Sequence, residues 1–330
     1  VSYRRTIRET VENGISDLFE LQASLLTAIQ LEFSTIPPYL CAQWSVRDPD
    51  PSEVEKRLKT VVTQEMLHFG LACNMYTATG ASLKGEITAA DFVPRYPVTG
   101  LPGGVHPGLV VGLAPLGTQT LQTFMAIEYP EAGPAVPQPV TPPPPPPPAA
   151  PTIGQFYDAI ARGFTEVFPG GSLPQNPSPN QVNTNVGADQ LLPVNTVADA
   201  LNAIKVITVQ GEGTDTSPDE SAPDSSTFAH YYMFAEVYYG RGLVAVGDGF
   251  QYAGPVIETP AVYTFSSGGS DGSGQQDFAG SFTDLMIDLE SCWTTKDSSI
   301  GDAISQMSDL RTRGVDLIRA GITPPFTLTC

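Results

Sequence analysis

Thr63-Gln-Glu-Met-Leu-His-Phe-Gly-Leu-Ala-Cys-Asn74 decides how the rest of the chain is read. No glycine or proline interrupts it before Gly70, and Leu58, Val61, Val62, Phe69 and Ala72 recur at helical spacing in and just before it. Glu65 and His68 lie in the same apolar stripe three residues apart, so both side chains leave one face of one helix. An acid and an imidazole on a face that packs inward are costly unless something compensates them. A metal ion does so, because carboxylate and neutral imidazole are both good ligands. A Glu-x-x-His pair on each of two helices, with one Glu from each of two others, makes a carboxylate-bridged dinuclear site in a four-helix bundle. One such pair arises often by chance, so the weight falls on the remaining ligands.

Three further acids and one more histidine stand in apolar helical stripes. Glu32 interrupts Leu25, Ala28, Ile29 and Ile36 on a helix within 5–46 that is predicted to kink or end at Pro37-Pro38; its plainer alternative is an ion pair with a base such as Arg47. Glu128 shares a face with Leu121, Phe124 and Met125 on a helix over 116–129 closed by Tyr129-Pro130. Glu212 ends a helix that Asn195 or Thr196 caps, where an acid opposes the helix dipole and a cation would favour it. His230 shares a face with Phe234 and Val237 on a helix starting at Thr227, and taken alone reads as a core histidine bonded to a tyrosine. Together these make four Glu and two His in the order Glu, Glu-x-x-His, Glu, then Glu and His. The 17 residues between Glu212 and His230 read as a loop inserted into a Glu-x-x-His helix. Among the bases only Lys205 lies on these faces, too few for four acids, so a metal is expected.

Composition bounds the function. The 35 acidic and 16 basic residues give a formal charge of −19, which argues against nucleic acid or an anionic membrane as partner. No apolar run approaches the roughly 20 residues that span a bilayer, so a soluble chain is expected. No charged leader with an apolar segment follows Val1; the compartment is left open, with the cytoplasm favoured. Cys41 and Cys73 read as buried small hydrophobes, while Cys292 and Cys330 are a pair whose joining the sequence leaves undecided.

The 32 prolines and 31 glycines predict long loops. These fall at 80–115, with His106 as a surface or loop-packing residue, at 169–194 and at the acidic 213–226. Pro134 to Pro151, with seven consecutive prolines at 142–148, reads as a polyproline II strap or linker. Ser52 and Glu55 predict a capping box opening a helix over 53–79, and Ile153 opens another to about Phe168. Residues 248–279 are Gly/Ser-rich with one β-like run, Ala261-Val-Tyr-Thr-Phe265, before closing helices over 280–294 and 299–321. The expected fold is an all-α four-helix bundle with extra helices. Its bundle covers 1–247 with the strap inserted, and an extension over 248–330 packs two helices on it.

The wording of the motifs adds a resemblance. Ala28-Ile-Gln-Leu-Glu-Phe-Ser-Thr-Ile-Pro-Pro-Tyr39, Gln64 to Asn74, Thr152-Ile-Gly-Gln-Phe-Tyr157, Gln210-Gly-Glu-Gly213 and His230-Tyr-Tyr-Met-Phe234 resemble the ferritin-like domain of the iminophenylpyruvate dimer synthase family. Members act in bisindole pigment pathways and couple oxidised aromatic amino-acid imines. The resemblance covers about 20–247 and implies a ferritin-like bundle holding a dinuclear metal, iron first with manganese or zinc as alternatives, on Glu32, Glu65, His68, Glu128, Glu212 and His230. An oxidoreductase or coupling enzyme on this pattern would bridge its metals with Glu65 or Glu128, and would line its pocket for a small aromatic molecule with Tyr39, Tyr129, Tyr231 and Tyr232. The other class of function is a non-catalytic metal-, pigment- or small-molecule-binding protein on the same scaffold. A homo-oligomer is compatible with either.

Overall fold

A computed structural model describes residues 3–47, 52–130, 133–134, 136–137, 150–174, 180–214, 217–218, 227–266, 272–295 and 300–329. The proline run 142–148, most of the strap, most of 213–226, and Cys330 with its proposed pairing lie outside the described residues.

Two long helices form the first layer: α2, Leu18–Ser45, and α3, Glu53–Ala78, packed along one another. A short α1, Ile7–Asn13, precedes them, so the expected single helix over 5–46 is broken: Gly14 at φ 69 stops α1, and Asp17 caps α2 by accepting from the Glu20 N–H at 2.8 Å. The expected kink or end at Pro37-Pro38 is absent, because α2 runs through both prolines. Pro38 offers no N–H to the Ser34 carbonyl, and the Tyr96 hydroxyl donates to that oxygen at 2.6 Å instead. Ser52 caps α3, accepting from the Glu55 N–H at 3.1 Å, while the Glu55 carboxylate turns to the Gln43 side chain.

The second layer is built from α4, Thr118–Ile127, α5, Ile153–Val167, α6, Val197–Glu212, and α7, His230–Tyr239. Helix α4 packs on α7 and α5 on α6, while α3 touches α6 and α7 and α2 touches α5. The pairs α4/α5 and α6/α7 each read as one bundle helix interrupted at the same level. Ile127 and Glu128 at the end of α4 and Ile153 at the start of α5 line one small cavity. A Cβ placed on Gly213, just past α6, would lie 3.5 Å from that of Ala229, just before α7. The last helix begins at His230, three residues later than its periodicity predicts.

The fold is helical but not purely so. Among the described residues, three two-stranded antiparallel hairpins decorate it: β1 Val98–Leu101 with β2 Val105–Val111, β3 Thr184–Val186 with β4 Asp189–Leu191, and β5 Val244–Val246 with β6 Gly249–Gln251. Residues 261–265 form no strand; Val262 makes an isolated bridge to Val46. Helices α8, Gly272–Thr294, and α9, Ile300–Arg319, pair and lie over α3 and α2 respectively. Gly314 permits this: a Cβ there would meet the Trp44 ring at 2.3 Å. Gly70, in the deciding stretch, likewise admits Leu191, which a Cβ would meet at 2.7 Å. Among the described residues no helix is long and apolar enough to cross a membrane.

Candidate metal centre

Five buried side chains from four helices converge between the layers. Glu32 comes from the middle of α2, and Glu65 and His68 come from the middle of α3. Glu128 is the residue that closes α4, and His230 is the first residue of α7. They form two groups whose ligand atoms lie within 4.8 Å of one another: Glu32, Glu65 and His68, then Glu65, Glu128 and His230. Glu65 is common to both. His68 Nδ1 is 3.5 Å from Glu32 Oε2 and 3.6 Å from Glu65 Oε1. His230 Nδ1 is 2.9 Å from the same Glu65 oxygen and 3.5 Å from Glu128 Oε2. The two imidazoles lie nearly parallel, 5.4 Å apart with planes 25° off.

Each of these five side chains is held from behind by a neutral partner. Tyr157 donates its hydroxyl to Glu32 Oε1, Thr35 donates to Glu65 Oε2, and Tyr39 donates to Glu128 Oε1 at 2.5 Å. One oxygen of each carboxylate is thereby tied, and the other faces the histidines. Beyond the rings, His68 Nε2 lies 2.9 Å from Gln210 Oε1 and His230 Nε2 lies 3.0 Å from Gln64 Oε1. The Gln210 amide nitrogen donates to Asp189 on β4 at 3.2 Å, so its oxygen is the atom turned to His68. An amide oxygen only accepts, which places a proton on each Nε2 and leaves each Nδ1 directed at carboxylates.

That arrangement fits a metal pair. His230 Nδ1 is buried without a hydrogen bond, although Glu65 Oε1 is within reach. No Lys or Arg pairs with Glu32, Glu65 or Glu128 among the described residues; Arg47, the alternative partner for Glu32, lies over the Tyr263 ring at 4.7 Å. Lys205 is exposed. Without a cation the groups lean on protons. Burial disfavours the charged form of His68, yet Glu32 and Glu65 outweigh it and lift the ring to about 10. His230 is likewise lifted to about 9 against burial by Glu128 and Glu65. Burial would raise Glu65, but His230 and His68 pull it down to about 2, while burial and the Glu65 charge push Glu128 up. Two imidazole nitrogens and three free carboxylate oxygens around one space are consistent with a dinuclear metal site, one carboxylate short of the four-Glu, two-His set.

Glu212, the sixth residue singled out from sequence, is half-buried and stands in neither group. It lines the cavity of about 30 Å³ beside them, with Leu31, Ile127, Ile153 and Ile207. It faces the first turn of α5: a Cβ on Gly154 would lie 3.0 Å from Glu212 Oε2. That helix N-terminus offsets the unfavourable end of its own helix. None of the four tyrosines lines this cavity. Tyr39 holds Glu128, while Tyr129, Tyr231 and Tyr232 pack edge-to-face, Tyr129 on Tyr231 and Tyr231 on Tyr232, with centroids 5.5 and 5.2 Å apart. Their group adjoins the Glu212 wall, since burial, Tyr129 and the Glu212 charge together push the Tyr232 hydroxyl up. His106, expected at the surface or packed in a loop, lies buried in β2 at φ 45 with Nε2 3.2 Å from the Ile127 carbonyl, next to Glu128, and burial lowers its pKa.

Helical spacing carries the five converging residues, but not the groups behind them. Thr35, Tyr157, Gln64 and Gln210 all lie inside the quoted motifs, and Gln64 directly precedes Glu65. Nothing in spacing gives a neutral side chain a partner on another helix.

The sequence pattern of the ferritin-like family matches residues 25–239. The chain belongs to the ferritin-like family. A crystal structure of a ferritin-like protein from Caulobacter vibrioides superposes with a TM-score of 0.67 at 22% identity, covering 95% of this chain and 100% of that one, which supports the fold. No curated protein matches the chain. The ferritin-like span begins within α2 and ends at the last residue of α7, so it contains every residue of the two buried groups.

Proposed function

We propose that this ferritin-like chain is a dinuclear metal protein that performs oxidative chemistry on a small aromatic or imine substrate. The observation that carries the reading is the pair of buried groups sharing Glu65, with both histidine Nδ1 atoms and one oxygen of each carboxylate turned to the same space. Glu32 and His68 would hold one ion, Glu128 and His230 the other, and Glu65 would lie between them. Glu212 is the further carboxylate within reach of the cavity. A carboxylate-rich set with imidazole suits iron first, then manganese, with zinc accommodated. The chemistry such a pair would supply when bound is electron transfer to a small oxidant and polarisation of an imine or carbonyl.

The chain's own residues do the rest. Tyr157, Thr35 and Tyr39 fix the carboxylates, Gln64 and Gln210 fix the ring tautomers, and Leu31, Ile127, Ile153 and Ile207 keep bulk water away. The substrate class rests on the resemblance to iminophenylpyruvate dimer synthases and on the tyrosine group beside Glu212.

The cavity favours a second reading. About 30 Å³ admits a water or a diatomic molecule and no aromatic ring, which suits a metal-binding protein without an organic substrate. Reconstitution with ferrous iron and elemental analysis tests the common ground, with about two ions per chain expected. His68→Ala should remove most of the metal while the helical circular dichroism persists. Less than a trace of transition metal in the reconstituted wild type would sink both readings. Oxygen uptake that depends on imines made from aromatic amino acids supports the enzyme, and metal inert to oxygen and substrate supports the binder.

A further inference from the structure

A second cavity, of 590 Å³, lies between the α2–α3 pair and the α8–α9 hairpin, closed at one side by β3–β4. It shares no lining residue with the metal-site cavity: Phe33, Ile36 and Leu40 on α2 and Val62, Met66 and Phe69 on α3 turn to it from another face of the same helices. Its size is that of a site for a drug-sized organic molecule. The wall is overwhelmingly apolar, and both tryptophans of the chain, Trp44 and Trp293, belong to it. A wall of that kind suits an apolar body better than a metal ion or a sugar.

Three charged side chains lie on the lining: Glu55, Lys59 and Arg311. The Glu55 carboxylate accepts from the Gln43 amide at 3.0 Å. Lys59 and Arg311 have no anionic partner among the described residues, although the chain carries more than twice as many acids as bases. The indole N–H of Trp44, which is 4% exposed, also has no acceptor. A buried donor without an acceptor is costly, and two unpaired cations beside an apolar space select for an anion whose remaining body is apolar. We propose that this cavity binds an apolar molecule bearing a single carboxylate, with its body against the aromatic wall and its head group toward Lys59 and Arg311.

The intrinsic emission of the chain reports on this site, because its two tryptophans both line it. The full chain, with and without added metal, is titrated with dodecanoate below its micellar concentration, and with dodecanol as the uncharged control. Saturable one-site binding that shifts the emission, tighter for the acid, is the expected result, and it holds whether or not metal binds. Lys59→Glu and Arg311→Glu alter exposed side chains and should each weaken the acid about tenfold while leaving the alcohol unchanged. Met66→Trp, at a half-buried lining position, should abolish binding of both. No emission change, non-saturating uptake, equal affinity for acid and alcohol, or unaltered binding in Met66→Trp would each overturn the proposal.

Discussion

His68 and His230 differ from ordinary core histidines in what faces both ring nitrogens. Each Nε2 meets an amide oxygen and each Nδ1 meets carboxylates, so only a second proton or a metal ion satisfies the inner side. Gln64→Leu removes the acceptor behind His230 and frees its tautomer. A loss of about tenfold in affinity for the ion on that side is expected, with little change in fold, as for other outer partners of metal-binding histidines. Competition with a chelator measures it, and unchanged affinity would show that the tautomer is fixed elsewhere. The two protonation routes also have opposite pH signs. In the metal-free chain the rings are raised from 6.5 to about 10 and about 9. Their stabilisation is therefore complete below about 6.5 and fades as pH climbs through those values. Glu65, lowered from 4.5 to about 2, contributes above 4.5 and loses its contribution only as pH falls toward 2. A metal needs neutral rings, so it competes with protons and gains on them as pH rises. The rise in Tm on adding metal should be larger at pH 8.5 than at pH 6, as measured by calorimetry on both forms. A rise that shrinks with pH would count against Nδ1 as the ligand atom.

Helix α2 shows how a local rule yields to its surroundings. Consecutive prolines predict a kink because two carbonyls lose their N–H donors. The chain nevertheless continues through Pro37 and Pro38, placing Tyr39 one turn beyond Thr35 so that their hydroxyls reach Glu128 and Glu65. The Tyr96 hydroxyl, from a segment that reads only as loop, replaces the missing donor at Ser34. Tyr96→Phe should cost about 1 kcal/mol and lower Tm by roughly 2 °C, and melting curves followed by circular dichroism would show it. No change would mean that water serves that carbonyl equally well. The long helices were legible because their apolar stripes persist over several turns, as at Leu58 to Ala72. The hairpins were not, since strands of three residues such as Thr184–Val186 are too short to show alternation, and Pro107 and Gly108 interrupt the longer Val105–Val111 strand. The breaks at Glu128 and Glu212 were legible only as helix ends. That the interrupted halves line up at one level is a tertiary fact, and it puts Glu128 and His230 in one group although 101 residues separate them.

At the scale of the whole molecule, one side chain joins parts that local pattern leaves unconnected. Asn74 closes the stretch that decides the fold, and it is fully buried near the end of α3. Its amide nitrogen donates to the Val182 and Leu192 carbonyls, both at 2.9 Å. Its oxygen accepts from the Val182 N–H at 3.0 Å and from the Trp293 indole at 2.8 Å. The amide thereby clamps the loop that carries β3 and β4, and with them Asp189 behind Gln210, while it also anchors α8 on the bundle. Trp293 packs edge-on against Phe69, one residue after His68, so the extension and the site share a wall. An alanine at 74 leaves two N–H groups and two carbonyls without their partner, three of the four in the interior, at about 1 kcal/mol or more each. Asn74→Ala should therefore lose about 4 kcal/mol, beyond the ordinary cost of a point change. Urea unfolding followed by tryptophan emission reads the loss directly, since Trp293 is one of the two emitters. The loosened loop should also free Gln210 and weaken metal binding through His68 ahead of His230, whose Gln64 partner sits on α3 itself. Destabilisation below 1 kcal/mol, or equal weakening at both histidines, would show that the loop is held by its packing alone.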